Sequence, residues 1–292
     1  MKTSQRGLSD PFVAALNAHY RSRGWLAAAF DDDELFVALR DEYLNVYYQG
    51  QSLARVTFQG GALVAETHYK YLLRDDVKPE YVRLTGGVFA LPTAPVLHAS
   101  LADWGAHKRA ARSWVGEEKR GVDRILRANP NVLDVEIAVS DDSHAERIDL
   151  LALRNEGAGP ELVFVEAKTF ANPELRAAPG RPVPVLEQIG RYTTLLVKYE
   201  ADLRRWYLRV SENLLALEGA ALARRRPAAQ AAFAAGSALR VSSEPRLAIY
   251  GFDQDQRDGV VWAGHRVRLE QVLGKRLLLC GDAKTFTRGI SS

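Results

Sequence analysis

One apolar strand with charges in its interior constrains this chain more than any other feature. Residues 162–170 form a β-branched and aromatic run that favours a buried strand, yet Glu166 and Lys168 stand within it. Side chains two residues apart in a strand point to the same face, so both charges share one side of the sheet. Because a buried charge is costly unless it is paired or bound to a metal, the run predicts an ionic site built into a sheet.

The elements around this strand predict an α/β fold. A helical pattern comes first, three strands follow it, and a long helix and a late strand come after them. Asp149 lies in the second of the three strands. The predicted elements are helix 103–128, strands 132–139, 147–153 and 162–170, helix 185–219 and strand 247–252.

The first hundred residues carry a different pattern, which predicts a β-rich accessory domain. Asp10 and Pro11 are typical of a helix start. Short polar or glycine-containing breaks then separate four strands of an antiparallel meander. Pro92 and Pro95 interrupt the periodicity, so we predict an accessory domain over residues 1–98 and a second domain over residues 99–292. The four predicted strands are 35–40, 43–48, 52–58 and 62–68.

Composition and charge set outer limits on function. The 292 residues carry 39 Lys and Arg against 36 Asp and Glu, a net charge of +3, which excludes a binder driven by a basic tail but not a basic face. Cys280 is the one cysteine, so an internal disulfide is excluded. We recognise neither a secretory signal nor a membrane-spanning apolar run, so we expect a cytoplasmic protein with no membrane partner.

Two carboxylates and a lysine are predicted to converge. Asp149 and Glu166 lie on different strands of one sheet with Lys168 beside them, and an oxygen-rich set of this kind suits Mg²⁺ or Mn²⁺ better than zinc. Helical periodicity adds Glu118, which shares a face with Val122 and Ile125 and is therefore a third candidate metal ligand. The six histidines show no zinc-binding spacing.

At these residues the chain resembles the PD-(D/E)XK nuclease superfamily, and within it the RecB-like and restriction-endonuclease-like groups. Asp149 matches the family's strand aspartate, and Glu166-Ala167-Lys168 matches its ExK triplet. Glu118 matches the acidic residue that many members carry on the preceding helix.

A second motif extends the resemblance to residues 113–192 and on toward residue 252. Gln188, Arg191 and Tyr192 lie three and four residues apart on one helical face, and they resemble the Q-x-x-x-Y motif of RecB-like members. Ile148 precedes Asp149 where the family pattern has proline.

The resemblance implies both a fold and a reaction. The fold would be a restriction-endonuclease-like α/β core, a mixed central sheet flanked by helices, with the β-rich accessory domain in front. Asp149, Glu166 and the Ala167 carbonyl would bind Mg²⁺ or Mn²⁺, Glu118 would complete the shell, and Lys168 would position the attacking water. The expected activity is metal-dependent hydrolysis of phosphodiester bonds. The three motif residues that would contact nucleic acid are Gln188, Arg191 and Tyr192.

The biological setting and the alternatives follow from the same resemblance. Most members act on DNA, and a lone nuclease of this size suggests bacterial defence, restriction or repair. Many members dimerise to cut both strands, so a homodimer is compatible with the resemblance. The alternatives are a structural ion pair in a non-catalytic nucleic-acid-binding or interaction protein, and a nuclease gated by a ligand or partner through the N-terminal domain. Glu118 could instead be solvated. A basic run around the first core helix is either a solvated face or a surface that follows a phosphate backbone, and it comprises Lys108, Arg109, Arg112, Lys119, Arg120, Arg124 and Arg127.

Overall fold

The computed structural model shows a mixed α/β protein with two sheets and flanking helices. Its contacts divide the chain into two compact units. The N-terminal unit contains residues 5–116 and 209–230, and the C-terminal unit contains residues 117–208 and the described residues from 231 onward. None of the helices in the described ranges has both the length and the apolar character needed to cross a bilayer. The structure describes residues 5–72, 81–85, 88–91, 94–98, 104–140, 145–155, 157 and 159–281.

An antiparallel sheet of seven strands, each paired with the next along the chain, forms the centre of the N-terminal unit. Its first four strands are the four that the sequence predicts, and three further strands continue the meander. In the second strand Leu44, Val46 and Tyr48 are buried and alternate with half-buried residues, which is the period of a strand with one covered face. The strands are β1 Phe36–Leu39, β2 Tyr43–Tyr48, β3 Gln51–Gln59, β4 Ala62–His68, β5 Tyr81–Thr85, β6 Val88–Leu91 and β7 Ala94–His98.

A mixed sheet forms the centre of the C-terminal unit. Its strands follow the order β13-β12-β10-β9-β8, and β11 also pairs with β10. The β8-β9 and β9-β10 pairs are antiparallel, whereas β11, β12 and β13 add in parallel. The central strand β10 is therefore buried along almost its whole length, as its apolar sequence predicts. The strands are β8 Val132–Ser140, β9 Ala145–Asn155, β10 Pro160–Thr169, β11 Arg240–Val241, β12 Arg246–Tyr250 and β13 Leu277–Leu279.

The two long helical patterns in the sequence are each divided. Between the third and fourth helices the Trp114 N–H bonds to the Ala111 carbonyl in a tightened last turn, and Gly116 follows. A second break comes at Tyr199. Residue 103, the predicted start of the first long helix, lies outside the described residues. The helices are α1 Asp10–Arg21, α2 Ala27–Asp31, α3 Trp104–Arg112, α4 Glu117–Ala128, α5 Pro184–Lys198, α6 Glu200–Ala216, α7 Ala220–Ala223, α8 Arg226–Ala235, α9 Gln254–Asp258 and α10 Val260–Leu273, with short 3₁₀ turns at Tyr69–Leu72, Pro173–Leu175, Gly236–Ala238 and Gly274–Arg276.

Residues 209–230 belong to the N-terminal unit although they are distant from it in sequence. Within that unit the Asn213 side chain binds both backbone groups of Leu8, accepting from its N–H at 2.8 Å and donating to its carbonyl at 3.2 Å. Arg225 donates to the Val37 carbonyl at 2.8 Å. The predicted domain boundary between residues 98 and 99 does not account for this returning segment. Along the described residues, the chain first passes from one unit to the other between residues 116 and 117. Pro92 lies outside the described residues.

The helices of the C-terminal unit cover both faces of its sheet. On one face α4 approaches β12 so closely that a Cβ added at Gly121 would lie 1.9 Å from a ring carbon of Tyr250. The Tyr250 hydroxyl donates to the Glu118 carbonyl at 2.7 Å and ties the start of α4 to the end of β12. On the other face α5 and α10 enclose an apolar cluster that includes Ile189, Ile249 and Trp262.

Candidate active site

Asp149 and Glu166 meet where β9 and β10 separate. The antiparallel register of these strands ends at the pair Leu150 and Val165. Beyond that pair the Ala167 N–H donates to the Asp149 carboxylate at 2.9 Å rather than to the backbone of β9. The side chain of Asp149 thus takes a place that a ladder hydrogen bond would otherwise hold, directly beside the strand that carries Glu166.

Strand geometry also sets the direction of the Ala167 carbonyl. In a strand, the N–H and C=O of one residue point toward the same neighbouring strand, and successive residues alternate. The Phe170 N–H donates to the Tyr250 carbonyl on β12. The backbone N–H and C=O groups of the even-numbered residues here therefore point toward β12, and those of the odd-numbered residues point toward β9. The Ala167 carbonyl therefore lies on the side of Asp149. Two predicted ligands and the predicted backbone ligand share one strand junction.

Glu166 and Lys168 form a buried ion pair on one face of β10, as their spacing predicts. The residues are 3% and 6% exposed, and the Lys168 Nζ lies 2.9 Å from Glu166 Oε1. Such a pair needs further polar partners because each charge loses its water on burial. Glu166 finds one in Tyr192, whose hydroxyl lies 3.0 Å from Glu166 Oε2.

Lys168 is surrounded by more carboxylates than the sequence indicates. Its Nζ lies 2.7 Å from Glu174 Oε2 and 4.0 Å from Glu118 Oε1, in addition to the contact with Glu166. Burial lowers the pKa of Lys168, but the Glu166 and Glu174 carboxylates more than offset this, so the pKa lies above its usual range. The site therefore holds a fixed positive charge at neutral pH.

Asp149 and Glu166 are destabilised as anions by their surroundings. Removal from water, and then repulsion from the Glu166 carboxylate, raises the pKa of Asp149 well above its usual range. Removal from water also raises the pKa of Glu166, although Lys168 and the Tyr192 hydroxyl oppose this. Two neighbouring carboxylates with raised pKa values form a typical binding place for a cation or a proton.

Glu118 reaches the edge of the site, where its carboxylate lies 4.0 Å from the Lys168 ammonium. Its Oε2 accepts from the Asn172 side chain at 3.1 Å, and its side chain is 44% exposed. Across the described ranges, no three Asp, Glu, His or Cys side chains come together as a metal-binding group. The role of Glu118 as a third ligand stays a prediction.

The Gln188 and Tyr192 side chains are directed into the site. Gln188 Nε2 donates to the Tyr192 hydroxyl at 2.6 Å. That hydroxyl also lies 2.9 Å from the Arg147 carbonyl, so its one proton can go to this carbonyl or to Glu166. Tyr192 is fully buried, which gives it the position of a support for Glu166 rather than a surface contact.

Arg191, the third residue of this motif, points elsewhere. Its guanidinium pairs with Glu146 on β9. The hydrogen bond and the charge of Glu146 raise the pKa of Arg191 above its usual range. A phosphate contact by Arg191 stays a prediction, and it would require Arg191 to share or leave this partner.

Two contributors to the site have no role in the sequence prediction. Asn172 caps the 3₁₀ turn after β10, accepting from the Glu174 N–H at 2.9 Å, and this turn holds Glu174 against Lys168. The same Asn172 side chain donates to Glu118, so one residue fixes two of the carboxylates around the lysine. The signal was the dipeptide Asn172-Pro173, which is typical of a capped turn start.

Comparison with known proteins supplies no relative from which these roles could be transferred. No family model, curated protein or solved structure matches the chain. The chemistry of the site rests on its own residues.

Proposed function

We propose that this protein is a metal-dependent nuclease of the restriction-endonuclease-like α/β type. The observation that carries the proposal is the junction of β9 and β10, where Asp149, Glu166, the Ala167 backbone and Lys168 meet. An acidic pair that can hold a cation beside a buried lysine suits phosphodiester hydrolysis, because negative charge develops on phosphate oxygens during the reaction.

The donor chemistry of the junction fits a hard divalent cation. Mg²⁺ is usually bound by one or two carboxylates and keeps several of its waters, so a set of three acidic side chains is not needed. Asp149 and Glu166 would supply the carboxylates, and the Ala167 carbonyl would supply the third oxygen. Repulsion between the two carboxylates supports this assignment, since a cation would relieve the conflict that raises the pKa of Asp149.

Each residue then has a role set by its contacts. When bound, Mg²⁺ or Mn²⁺ would lower the pKa of a coordinated water and offset charge on the phosphate. Lys168 would place its ammonium beside the phosphate or the attacking water, and Glu174 would hold that ammonium in place. Tyr192 would orient Glu166 through its hydroxyl.

The wider proposal keeps the settings that the resemblance implies. DNA is the proposed substrate, since most superfamily members act on it, and this is an argument from analogy. Defence, restriction or repair in a bacterial cytoplasm fits such an activity, and a homodimer that cuts both strands is compatible with it. The second candidate is a non-catalytic protein in which Lys168 serves only the structural ion pair with Glu166 and Glu174.

Metal binding provides the test of the proposal. Asp149→Asn removes one carboxylate and keeps the shape of the side chain, so we expect it to abolish Mg²⁺ or Mn²⁺ binding in calorimetric titrations while the fold is retained. Asp258→Asn, an exposed acid in α9, provides the matched control and should bind metal as the wild type does. A titration curve for Asp149→Asn that matches the wild-type curve would remove Asp149 from the metal site.

A further inference from the structure

A groove of about 450 Å³ opens beside α4 within the C-terminal unit. It lies at the carboxyl ends of the parallel strands β10 and β12, the position at which open α/β sheets bind ligands. Thr169 and Glu117 line it, and they are the chain neighbours of Lys168 and Glu118. Successive residues of a strand point to opposite faces, so the Thr169 side chain, which lines the groove, and the Lys168 side chain lie on opposite faces of the sheet at the carboxyl end of β10.

Two arginines of α4 supply positive charge to this groove. Arg120 and Arg124 both line it and are both exposed. They lie one helical turn apart, about 6 Å along the axis. Arg120 is paired with Glu117 at 3.0 Å, an exposed contact of small energetic value. Arg124 forms no ion pair with any part of the chain that the structure describes.

The two acids that line the groove are already engaged. Glu117 faces Arg120, and Asp253 caps α9 by accepting from the Gln256 N–H at 2.8 Å. Neither carboxylate is bonded to Arg124, so that guanidinium is available to an anionic ligand. The lining also includes Phe252, a half-buried residue whose ring packs against Phe170 and the apolar cluster.

Other basic residues of the same sequence run have protein partners instead. Lys108 bonds to Asp32 and Glu34 at 2.7 and 2.6 Å, and Arg127 pairs with Asp123 at 2.7 Å. Their charges are neutralised by these ion pairs. Arg124 thus differs from these residues of the basic run, because its guanidinium is not neutralised by a described carboxylate.

We propose that this groove binds the phosphodiester backbone of a nucleic-acid strand on one side of the scissile phosphate, with Arg124 as the principal phosphate contact. This inference rests on the proposed nuclease function for its substrate class. Arg guanidinium groups bind phosphate oxygens through paired hydrogen bonds.

Binding without turnover provides the test. The full chain is titrated in EDTA against fluorescently labelled single-stranded and duplex DNA, and anisotropy is measured over a range of salt concentrations. Arg124→Ala should weaken binding about fivefold at 0.15 M salt and reduce the slope of log K against log salt by about 1, as expected for one lost phosphate contact. Arg124→Glu should weaken binding further. Lys275→Glu changes the net charge equally at an exposed site outside the groove lining and should bind nearly as the wild type does.

The outcomes separate the groove from the chemistry. Normal binding by both Arg124 variants, or an equal loss in Lys275→Glu, would overturn the groove assignment even if the wild type cleaves DNA with Mg²⁺. If the wild type binds DNA in a way that depends on Arg124 but does not cleave it with Mg²⁺, the groove assignment is supported and the proposed catalysis is not. Failure of the wild type to bind either DNA would overturn the groove assignment.

Discussion

Replacement of Lys168 by alanine is expected to lower Mg²⁺-dependent cleavage of DNA at least about a hundredfold, the usual cost of removing one group that stabilises transition-state charge. The Lys168 ammonium is buried, has a raised pKa and is held by Glu166 and Glu174 at 2.9 and 2.7 Å. In the proposed mechanism its charge is thus already in place when a phosphate binds. The measurement is the initial rate of product formation at saturating Mg²⁺.

Stability must be followed in the same experiment. Loss of one partner from a buried ion pair leaves the other charge uncompensated and costs about 3–5 kcal/mol in many proteins. Here the Tyr192 hydroxyl remains beside Glu166, and the raised pKa of Glu166 eases its protonation. Lys168→Met keeps the apolar length of the side chain and serves as a second variant, and Lys275→Ala controls for the loss of any lysine. Equal rates for the wild type and both folded Lys168 variants would end the catalytic assignment.

A clear loss of stability without any change of charge is expected from Gly121→Ala. The added Cβ would lie 1.9 Å from one ring carbon of Tyr250 and 2.5 Å from its hydroxyl oxygen. That ring is 4% exposed, and its hydroxyl is bonded to the Glu118 carbonyl, so it cannot turn away without losing the contact. Overpacking of this kind typically costs about 1–3 kcal/mol. Displacement of α4 would also move Glu118 and Arg124 from their places beside the site.

Gly264→Ala is the matched control for this stability prediction. Gly264 also lies in a helix, α10, but a Cβ there meets nothing within 4 Å. Its replacement should stabilise the protein by up to about 1 kcal/mol through helix propensity alone. Urea unfolding measures both variants. A midpoint for Gly121→Ala at or above that of Gly264→Ala would show that α4 and β12 do not meet as described.

The sequence predicts those parts of the structure that depend on local pattern. The apolar run with Glu166 and Lys168 on one face becomes the buried strand β10, and the N-terminal meander begins with its four predicted strands. Periodicity is enough in both cases because a strand alternates its faces every second residue. The two carboxylates converge because β9 and β10 are neighbours and antiparallel.

Features that depend on long-range contacts are not visible in the sequence. Residues 209–230 join the N-terminal unit through side-chain bonds such as those of Asn213 to Leu8, across two hundred residues of chain. Glu174 contacts Lys168 because a capped turn folds back after β10, and although Asn172-Pro173 signals such a turn, it does not indicate that the turn brings Glu174 to Lys168. Arg191 on α5 pairs with Glu146 on β9. Helical spacing shows which residues share a face of α5, but it does not show which residue of another strand lies beside that face.

The most direct test of the nuclease assignment is a digestion of linear, circular and single-stranded DNA and of RNA by wild-type protein and Lys168→Ala purified in parallel. Each substrate is incubated with Mg²⁺, with Mn²⁺ and with EDTA. The junction of Asp149, Glu166 and Lys168 predicts products from at least one DNA substrate with the wild type and a divalent ion, none in EDTA, and a large loss with Lys168→Ala. Equal product from both proteins, or no product from the wild type on any substrate, would contradict a nuclease site at this junction.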